Sequence, residues 1–530
     1  MSCTILKNGT VVSPECVKEQ DILIRDGKIA AVGDSASFAD CSDAEVVDVK
    51  GYHVFPGLIE PHMHIKAPLG GITDILDFDS AAKCAAFGGV TTFMDFSSTL
   101  PGMALTDAVQ QRLDEMKDNV LDYSIHCKVV NLVSQESTTA LMDAEQALRE
   151  ASASGADKDT IAKAQKKVDE AQAEVDKEVQ ARIDEIPQII KSGIPTFKLF
   201  MTYRKANVMI DDTYMLQVLA AARDAGGRCG FHAECNAIAE YNEALFRKEG
   251  TLKWEDFPRC KNDVCEEEAV RRVLYYAEML HAPVYFFHIS TKGAVEEIRK
   301  AKARGVDVIA ETCTHYLTLT DEKNKGEDGI LYLMSPPLRS KEDQDALWEG
   351  LVDGTLSLVT SDNCTFPRWM KEQSLDRDEQ GNVIQDFTKV ISGVSGIEER
   401  FGLMLDQVGK KPGITLSKVA QLLCENPAKV FGCYPRKGCL AVGSDADVTV
   451  VDLKDNNYKL TLDNLHYPVY EQNCVGKDGL EYAVFGDKTA GGRVVHTIRR
   501  GEFLVRGGKY QGENGLPKAS AGEKINRTLH

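Results

Sequence analysis

Five histidine and aspartate positions offer ligands for divalent cations. His62 and His64 flank Met63, His232 stands in Phe231-His-Ala-Glu234, His288 in Phe287-His-Ile-Ser290, and Asp362 in Thr360-Ser-Asp-Asn363. Imidazole and carboxylate suit zinc and its neighbours. Along an extended segment residues i and i+2 project to one side, so His62 and His64 can hold a single ion together. Lys198 is a sixth position, set inside the apolar run Thr196-Phe-Lys-Leu-Phe-Met201, where an uncompensated ammonium is expensive to bury. Its plainer reading is a lysine that snorkels its charge to the strand end. Beside histidines another reading opens, because a deprotonated buried lysine adds carbon dioxide to form a carbamate whose anionic oxygens can bridge two cations. Taken singly, a histidine on an apolar strand is usually core and Asp362 a turn residue; the ordered set carries the inference.

The elements that must position these residues are legible as short β-branched or aromatic runs alternating with helical stretches. The runs are 90–96, 123–130, 196–200, 228–233, 283–288, 306–311 and 356–361. Such alternation predicts an α/β fold, a (β/α)8 TIM-like barrel over residues 56–437, in which the carboxyl ends of the strands converge on one mouth. The two chain ends read differently. Residues 1–55 predict β-hairpins around Asn8-Gly9 and across Asp26-Gly27, and residues 438–510 predict strands at 447–453 and 494–510 that turn at Arg500-Gly501 and Gly507-Gly508. Both ends are expected to pack together as one β-sandwich domain. From about 135 to 184 the rhythm breaks: Ile161, Ala164, Val168, Ala171 and Val175 recur in steps of three and four, predicting a helical hairpin inserted in the barrel, broken at Ser152-Ala-Ser-Gly155 and solvated on its charged face. A polar, glycine-containing tail occupies 511–530.

Composition sets outer limits. The 530 residues suffice for a large barrel with a second domain, and 62 basic against 81 acidic residues give a net charge of −19, which disfavours nucleic-acid binding because phosphate neutralisation needs clustered cations. The fifteen cysteines form no C-x-x-C pair, which points to reduced thiols and a cytoplasmic protein. No stretch approaches the roughly 20 apolar residues that span a bilayer, and the amino terminus lacks the sustained apolar core of a signal peptide.

At full length the sequence resembles the amidohydrolase superfamily and, within it, the dihydropyrimidinase and hydantoinase branch of cyclic amidohydrolases. The likeness rests on Phe55-Pro-Gly-Leu-Ile-Glu-Pro-His-Met-His64, Phe197-Lys-Leu-Phe-Met-Thr-Tyr203, His232-Ala-Glu234, Glu311-Thr-Cys-Thr-His-Tyr316, Met334-Ser-Pro-Pro-Leu-Arg339, Thr360-Ser-Asp362, Gly396-Ile-Glu-Glu-Arg400 and Gly443-Ser-Asp-Ala-Asp447. The resemblance implies two zinc ions bridged by a carboxylated Lys198, with His62, His64 and Asp362 on the more buried ion and His232 and His288 on the other. It implies opening of a hydantoin, dihydropyrimidine or related cyclic ureide or imide by a bridging water, which two cations acidify to about neutral pKa. Asp362 is then the proton carrier. Tyr203 resembles the tyrosine that hydrogen-bonds the developing oxyanion, a contact worth ~3 kcal/mol in other enzymes, and Ser335 the serine that reads the ring. A homotetramer is implied as well, with residues beyond about Tyr510 reaching a neighbour.

Two positions depart from the family pattern. Ser392 stands where an asparagine usually precedes the Gly-Val of the substrate loop, a backbone role that survives a side-chain change. Lys66, just after His64, replaces an uncharged or acidic residue and suggests a carboxylate on the substrate; its alternative is solvent or a neighbouring acid, Asp74 or Asp77. The alternatives to a hydantoinase-like enzyme are therefore an allantoinase-like or dihydroorotase-like hydrolase, and more distantly a non-catalytic scaffold of the collapsin response mediator type.

Overall fold

Eight parallel strands, β1 (Leu58–Glu60), β2 (Val90–Phe96), β3 (Asp122–Val129), β4 (Thr196–Phe200), β5 (Arg228–His232), β6 (Val284–Phe286), β7 (Val308–Cys313) and β8 (Leu358–Thr360), pair in chain order with a helix or loop crossing between neighbours. The computed structural model describes residues 3–38, 43–69, 72–468 and 479–529. Seven of the strands coincide with the apolar runs. β1 is only three residues long between Gly57 and Pro61, too short to register as a run.

β8 and β1 share no ladder, and the barrel closes there by side chains instead. The Glu60 carboxylate accepts from the backbone N–H groups of His62 (2.9 Å) and Ser361 (3.1 Å) and pairs with Arg400 at 3.2 Å. Arg400, wholly buried, donates to the carbonyls of Ile59 and Val359 at 2.9 and 3.0 Å. Just above, Met63 bridges Asn363, and the His64 N–H donates to the Asn363 carbonyl at 2.8 Å. The residues that close the barrel are thus the immediate neighbours of His62, His64 and Asp362.

The chain ends share one nine-stranded sheet in which 448–452, from the carboxyl-terminal part, pairs with 53–56 from the amino-terminal part. Asp26 and Gly27 turn the predicted hairpin with φ of 49° and 78°. Asn8-Gly9 does not turn: strand Cys3–Val12 runs straight through it with a bulge between Leu6 and Gly9. Asn8 supplies the left-handed bulge residue at φ 63°, its N–H donating to Asp21 and its amide to Asp48. A Cβ on Gly9 would stand 2.7 Å from Val54, so this dipeptide serves close packing rather than reversal.

The insertion is a helical hairpin of α1 (Gln135–Ala153) and α2 (Lys158–Lys191). It runs seven residues beyond the expected end at 184, through Pro187, because Ile186 and Ile189 are buried against the barrel. No residue of α1 is buried, and α2 buries only Val175, Val179, Ile186 and Ile189. The hairpin is pinned at its base by Glu178, which accepts from the Ser134 N–H and from the hydroxyls of Ser134 and Ser137.

Candidate metal centre and substrate pocket

His62 and His64 lie just beyond β1, and Asp362 just beyond β8, so the barrel seam brings them together. Asp362 Oδ1 stands 2.9 Å from His62 Nε2 and 3.2 Å from His64 Nε2, and the three donor atoms lie within 4.8 Å of one another. The close approach to His62 is not aligned as a hydrogen bond, and this buried nitrogen has no other partner. Ligand atoms that crowd one point in this way fit a cation between them. Burial disfavours protonation of His62, yet Asp362 and Glu311 raise its pKa to about 9; despite burial, Asp362 is held well below the carboxylate range by His62 and His64.

Glu311, at the end of β7, holds this group from behind. It is hydrogen-bonded to His62 Nδ1 and the Tyr285 hydroxyl, and accepts from the His288 N–H at 3.2 Å and the Thr360 hydroxyl at 3.0 Å. Fixing one imidazole nitrogen by a carboxylate orients the other toward a metal. His232 and His288 form a second pair, with ring centroids 4.4 Å apart, and His288 lies 5.4 Å from His62. Burial lowers the pKa of both, His232 to about 4, so both present neutral imidazoles. His232 Nε2 is bound to Glu234 at 2.6 Å, which leaves Nδ1 for a ligand.

Lys198 is 1% exposed. Its ammonium lies 3.6 Å from the Phe287 ring centroid and 5.3 Å from those of Phe96 and Phe200. Desolvation drops its pKa to about 7, against the pull of Asp362 and Glu311. Its charge in turn lowers the pKa values of His62, His232 and His288. Ring and charge contacts thus bring the six expected ligands near one another, and among them His62, His64 and Asp362 form a tight donor cluster.

Beside His232 lies a polar pocket. Glu234 Oε2 accepts from Lys261 Nζ and the Ser335 hydroxyl, each at 2.8 Å, and Lys261 also donates to Ser335. The Lys261 ammonium is 4.9 Å from the Tyr203 ring centroid. Tyr203, whose ring lies 5.3 Å from that of His232, is half-buried with φ 67°. His288 (39°) and Asp362 (47°) are also left-handed, a strain that collects at functional sites. Ser392 is half-buried; its neighbour Gly393 donates its N–H to the Leu333 carbonyl at 3.0 Å, tying that loop to the one bearing Ser335. Lys66 is exposed, and its charge lowers the pKa of Asp77; among the described residues it makes no hydrogen bond to the pocket.

Sequence reading had no role for Lys261, Lys371, Glu60 or Glu311. Glu60, Glu311 and Arg400 fall within the quoted motifs, so a signal existed for them. Lys261 and Lys371 act through contacts more than 20 residues away, for which local pattern offers none.

Barrel and strand-end donor set together fit a candidate metal centre of the hydrolase type. Residues 53–504 match the amidohydrolase family, and the chain belongs to that family. It is 32% identical to a D-hydantoinase of Ralstonia pickettii over 514 residues, 96% of each chain, and 31% identical to a D-hydantoinase of Geobacillus stearothermophilus over 96% of this chain and 94% of that one. Among solved structures, dihydropyrimidinase from Brevibacillus agri NCHU1002 superposes with TM-score 0.82 at 28% identity, covering 100% of this chain and 99% of that one. No helix among the described residues is long and apolar enough to cross a membrane.

Proposed function

We propose that the protein hydrolyses the amide bond of a neutral five- or six-membered cyclic ureide or imide, a hydantoin or dihydropyrimidine, to the carbamoyl amino acid. The observation that carries this reading is the His62, His64 and Asp362 cluster, set beside His232, His288 and Lys198 in a chain similar throughout to D-hydantoinases. Two divalent ions, zinc by donor type, would be held by His62, His64 and Asp362 and by His232 and His288, and when bound they supply an acidified water and polarisation of the scissile carbonyl. Lys198 suits carboxylation: with a pKa near 7 a good share of its amine is neutral, and addition to carbon dioxide with loss of one proton gives an anionic carbamate.

The chain's own groups complete the chemistry. Asp362, ionised and 17% exposed, takes a proton at its carboxylate and returns it to the leaving ring nitrogen. The Tyr203 phenol, kept protonated by burial, donates to the carbonyl oxygen as negative charge grows there. Ser335 and the backbone around Ser392 orient the ring. A neutral ring is favoured over a carboxylate-bearing one because Lys66 points to solvent and Lys261 is already neutralised by Glu234. The exposed Val264, Tyr275 and Met279 on helix 263–280 fit a surface for self-association, and light scattering tests whether the assembly is the homotetramer expected from the family.

The deciding experiment is a substrate panel on zinc-loaded protein covering hydantoin, dihydrouracil, allantoin, dihydroorotate and a 5-carboxyalkyl hydantoin. Ring opening of the first two, abolished by chelation and restored by zinc, is expected. A clear preference for a carboxylate-bearing ring overturns the neutral assignment, and metal-free protein inert on every ring revives the scaffold alternative.

A further inference from the structure

Tyr203 stands in the left-handed region at φ 67°, and Asn207 does the same at φ 56°. Between them Arg204–Ala206 form one tight 3-10 turn, closed by the Ala206 N–H on the Tyr203 carbonyl at 3.1 Å and the Asn207 N–H on the Arg204 carbonyl at 2.9 Å. An aromatic L-residue is disfavoured there by its own Cβ, so the turn keeps this shape only where its surroundings over-determine it. They do so from two sides. On one, the buried Asn236 carboxamide at the start of helix Asn236–Glu249 accepts the Arg204 N–H at 3.2 Å. On the other, the Asn131 amide donates to Asn207 Oδ1 at 2.9 Å, and the Asn207 amide reaches Gln135 Oε1 at 3.5 Å.

The second side belongs to the helical insertion. Asn131 lies in the loop that leads from β3 into α1, and Gln135 is the first residue of α1. The Val133 N–H donates to Asn131 Oδ1 at 3.3 Å, which fixes the carboxamide with its amide toward Asn207. Glu178 of α2 anchors the end of the same loop, accepting from the Ser134 N–H at 2.7 Å and from the hydroxyls of Ser134 and Ser137 at 2.9 and 2.6 Å. A chain of contacts thus runs from α2 through the loop to the turn whose first residue sets its ring 5.3 Å from that of His232. We propose that the base of the helical insertion braces the Tyr203 turn, with Asn131 and Asn207 as positioning residues that, opposite Asn236, hold the phenol at the metal chamber. The insertion then serves the reaction through its base alone. This inference rests on the functional reading above, in which the phenol meets the carbonyl oxygen as charge grows there. A loosened turn therefore costs kcat rather than KM.

The test is a pair of double-mutant cycles on the full-length, zinc-loaded protein with hydantoin, Asn207→Gly against Tyr203→Phe and Asn131→Ala against Tyr203→Phe. Glycine keeps the left-handed backbone and removes only the carboxamide. Each asparagine variant is expected to lower kcat about fivefold or more with KM within about twofold, and to lower it less than about twofold once Tyr203 is phenylalanine. A residue that merely stabilises the fold lowers kcat by the same factor in both backgrounds, so multiplied losses overturn the proposal, as does an unchanged kcat in both single variants. Hydrogen exchange supplies a readout apart from activity: the amides of Ala206, Asn207 and Val208 should exchange about tenfold faster in Asn131→Ala than in the wild type, and equal rates overturn the brace. Zinc content and melting temperature exclude general collapse, and should Asn131→Ala fail to fold, the Asn207→Gly cycle decides. Full kcat in Tyr203→Phe overturns the proposal while leaving ring opening intact. A wild type that opens no ring removes the functional reading itself, and the exchange rates then still decide whether the insertion braces the turn.

Discussion

Lys371 is wholly buried, yet its partners are two carbonyl oxygens, Leu333 at 3.0 Å and Gly393 at 2.8 Å. It stitches the loop before Ser335 to the loop after Ser392, the two segments expected to hold the ring. Desolvation lowers its pKa to about 7, and a lysine kept at that cost by a packed core marks a constraint on the loops rather than on bulk stability. Lys371→Met preserves most of the volume and removes the donor. Its expected effect is a KM for hydantoin raised about tenfold with kcat changed less than about threefold, since the lost contact acts on ground and transition state alike. Steady-state kinetics check this; a collapse of kcat at constant KM would assign Lys371 to the chemical step.

At the scale of elements, the hairpin divides at Glu178. Below that residue α2 packs on the barrel, and Asn207, four residues after Tyr203, is within 3.5 Å of Gln135 at the base of α1. Above it the two helices contact mainly each other. Replacing residues 139–173 by a short Gly-Ser turn should leave kcat/KM within about twofold and the melting temperature within about 3 °C, because the segment buries little against the barrel. Circular dichroism and the hydantoin assay check both, and a larger loss of activity would give the outer helices a role at the mouth. A second element carries a pH dependence. Glu399, opening the helix Glu399–Asp406, is pushed up to about 8 by burial and by neighbouring Glu398, with the Tyr467 hydroxyl donating to it at 2.7 Å. The folded state thus keeps a proton that an unfolded glutamate, of pKa about 4.3, has lost. Stability contributed here is full at low pH and falls as pH rises toward 8, by up to about 1.4 kcal/mol per unit. Glu399→Gln should flatten that slope in urea unfolding at pH 5.5 and 7.5; an unchanged slope places the titration elsewhere.

For the molecule as a whole, the amino-terminal end of the barrel is closed by the chain's own carboxyl terminus. Residues 522–528 exchange backbone hydrogen bonds with Asn119, Tyr123, Gly193 and Gly432, Ile525 is buried, and the Arg527 guanidinium donates to the Ser124 hydroxyl at 2.8 Å and to the Ile125 carbonyl. These residues are the last part of the tail read at 511–530, and they pack on the barrel of the same chain. Next to it Lys437 pairs with Asp122 of β3 at 2.5 Å and with Asp447 of the terminal sheet at 2.7 Å, joining the two bodies. Truncation after Ala519 removes about five backbone hydrogen bonds, each worth about 1 kcal/mol, and should lower the melting temperature by several degrees with metal content retained. An unchanged melting temperature would show that the seat is dispensable.

Residue type and order by themselves determined the barrel and the hairpin and marked the candidate ligands, because period, apolar runs and ligand chemistry are local or nearly so. His62, His64, Lys198, His232, His288 and Asp362 were legible as suspects for that reason. Other features depended on contacts far apart in sequence. Asn8-Gly9 has the composition of a turn and becomes a bulge because Val54 packs on the glycine. Lys66, beside the metal motif, faces solvent, while Lys261, some 200 residues on, holds the pocket serine. A cation's role follows from what it faces, and for Lys261 that is Glu234 and Ser335, 27 and 74 residues away in sequence. The sequence named the groups that can do the chemistry; the tertiary structure decided which charges remain free to meet a substrate.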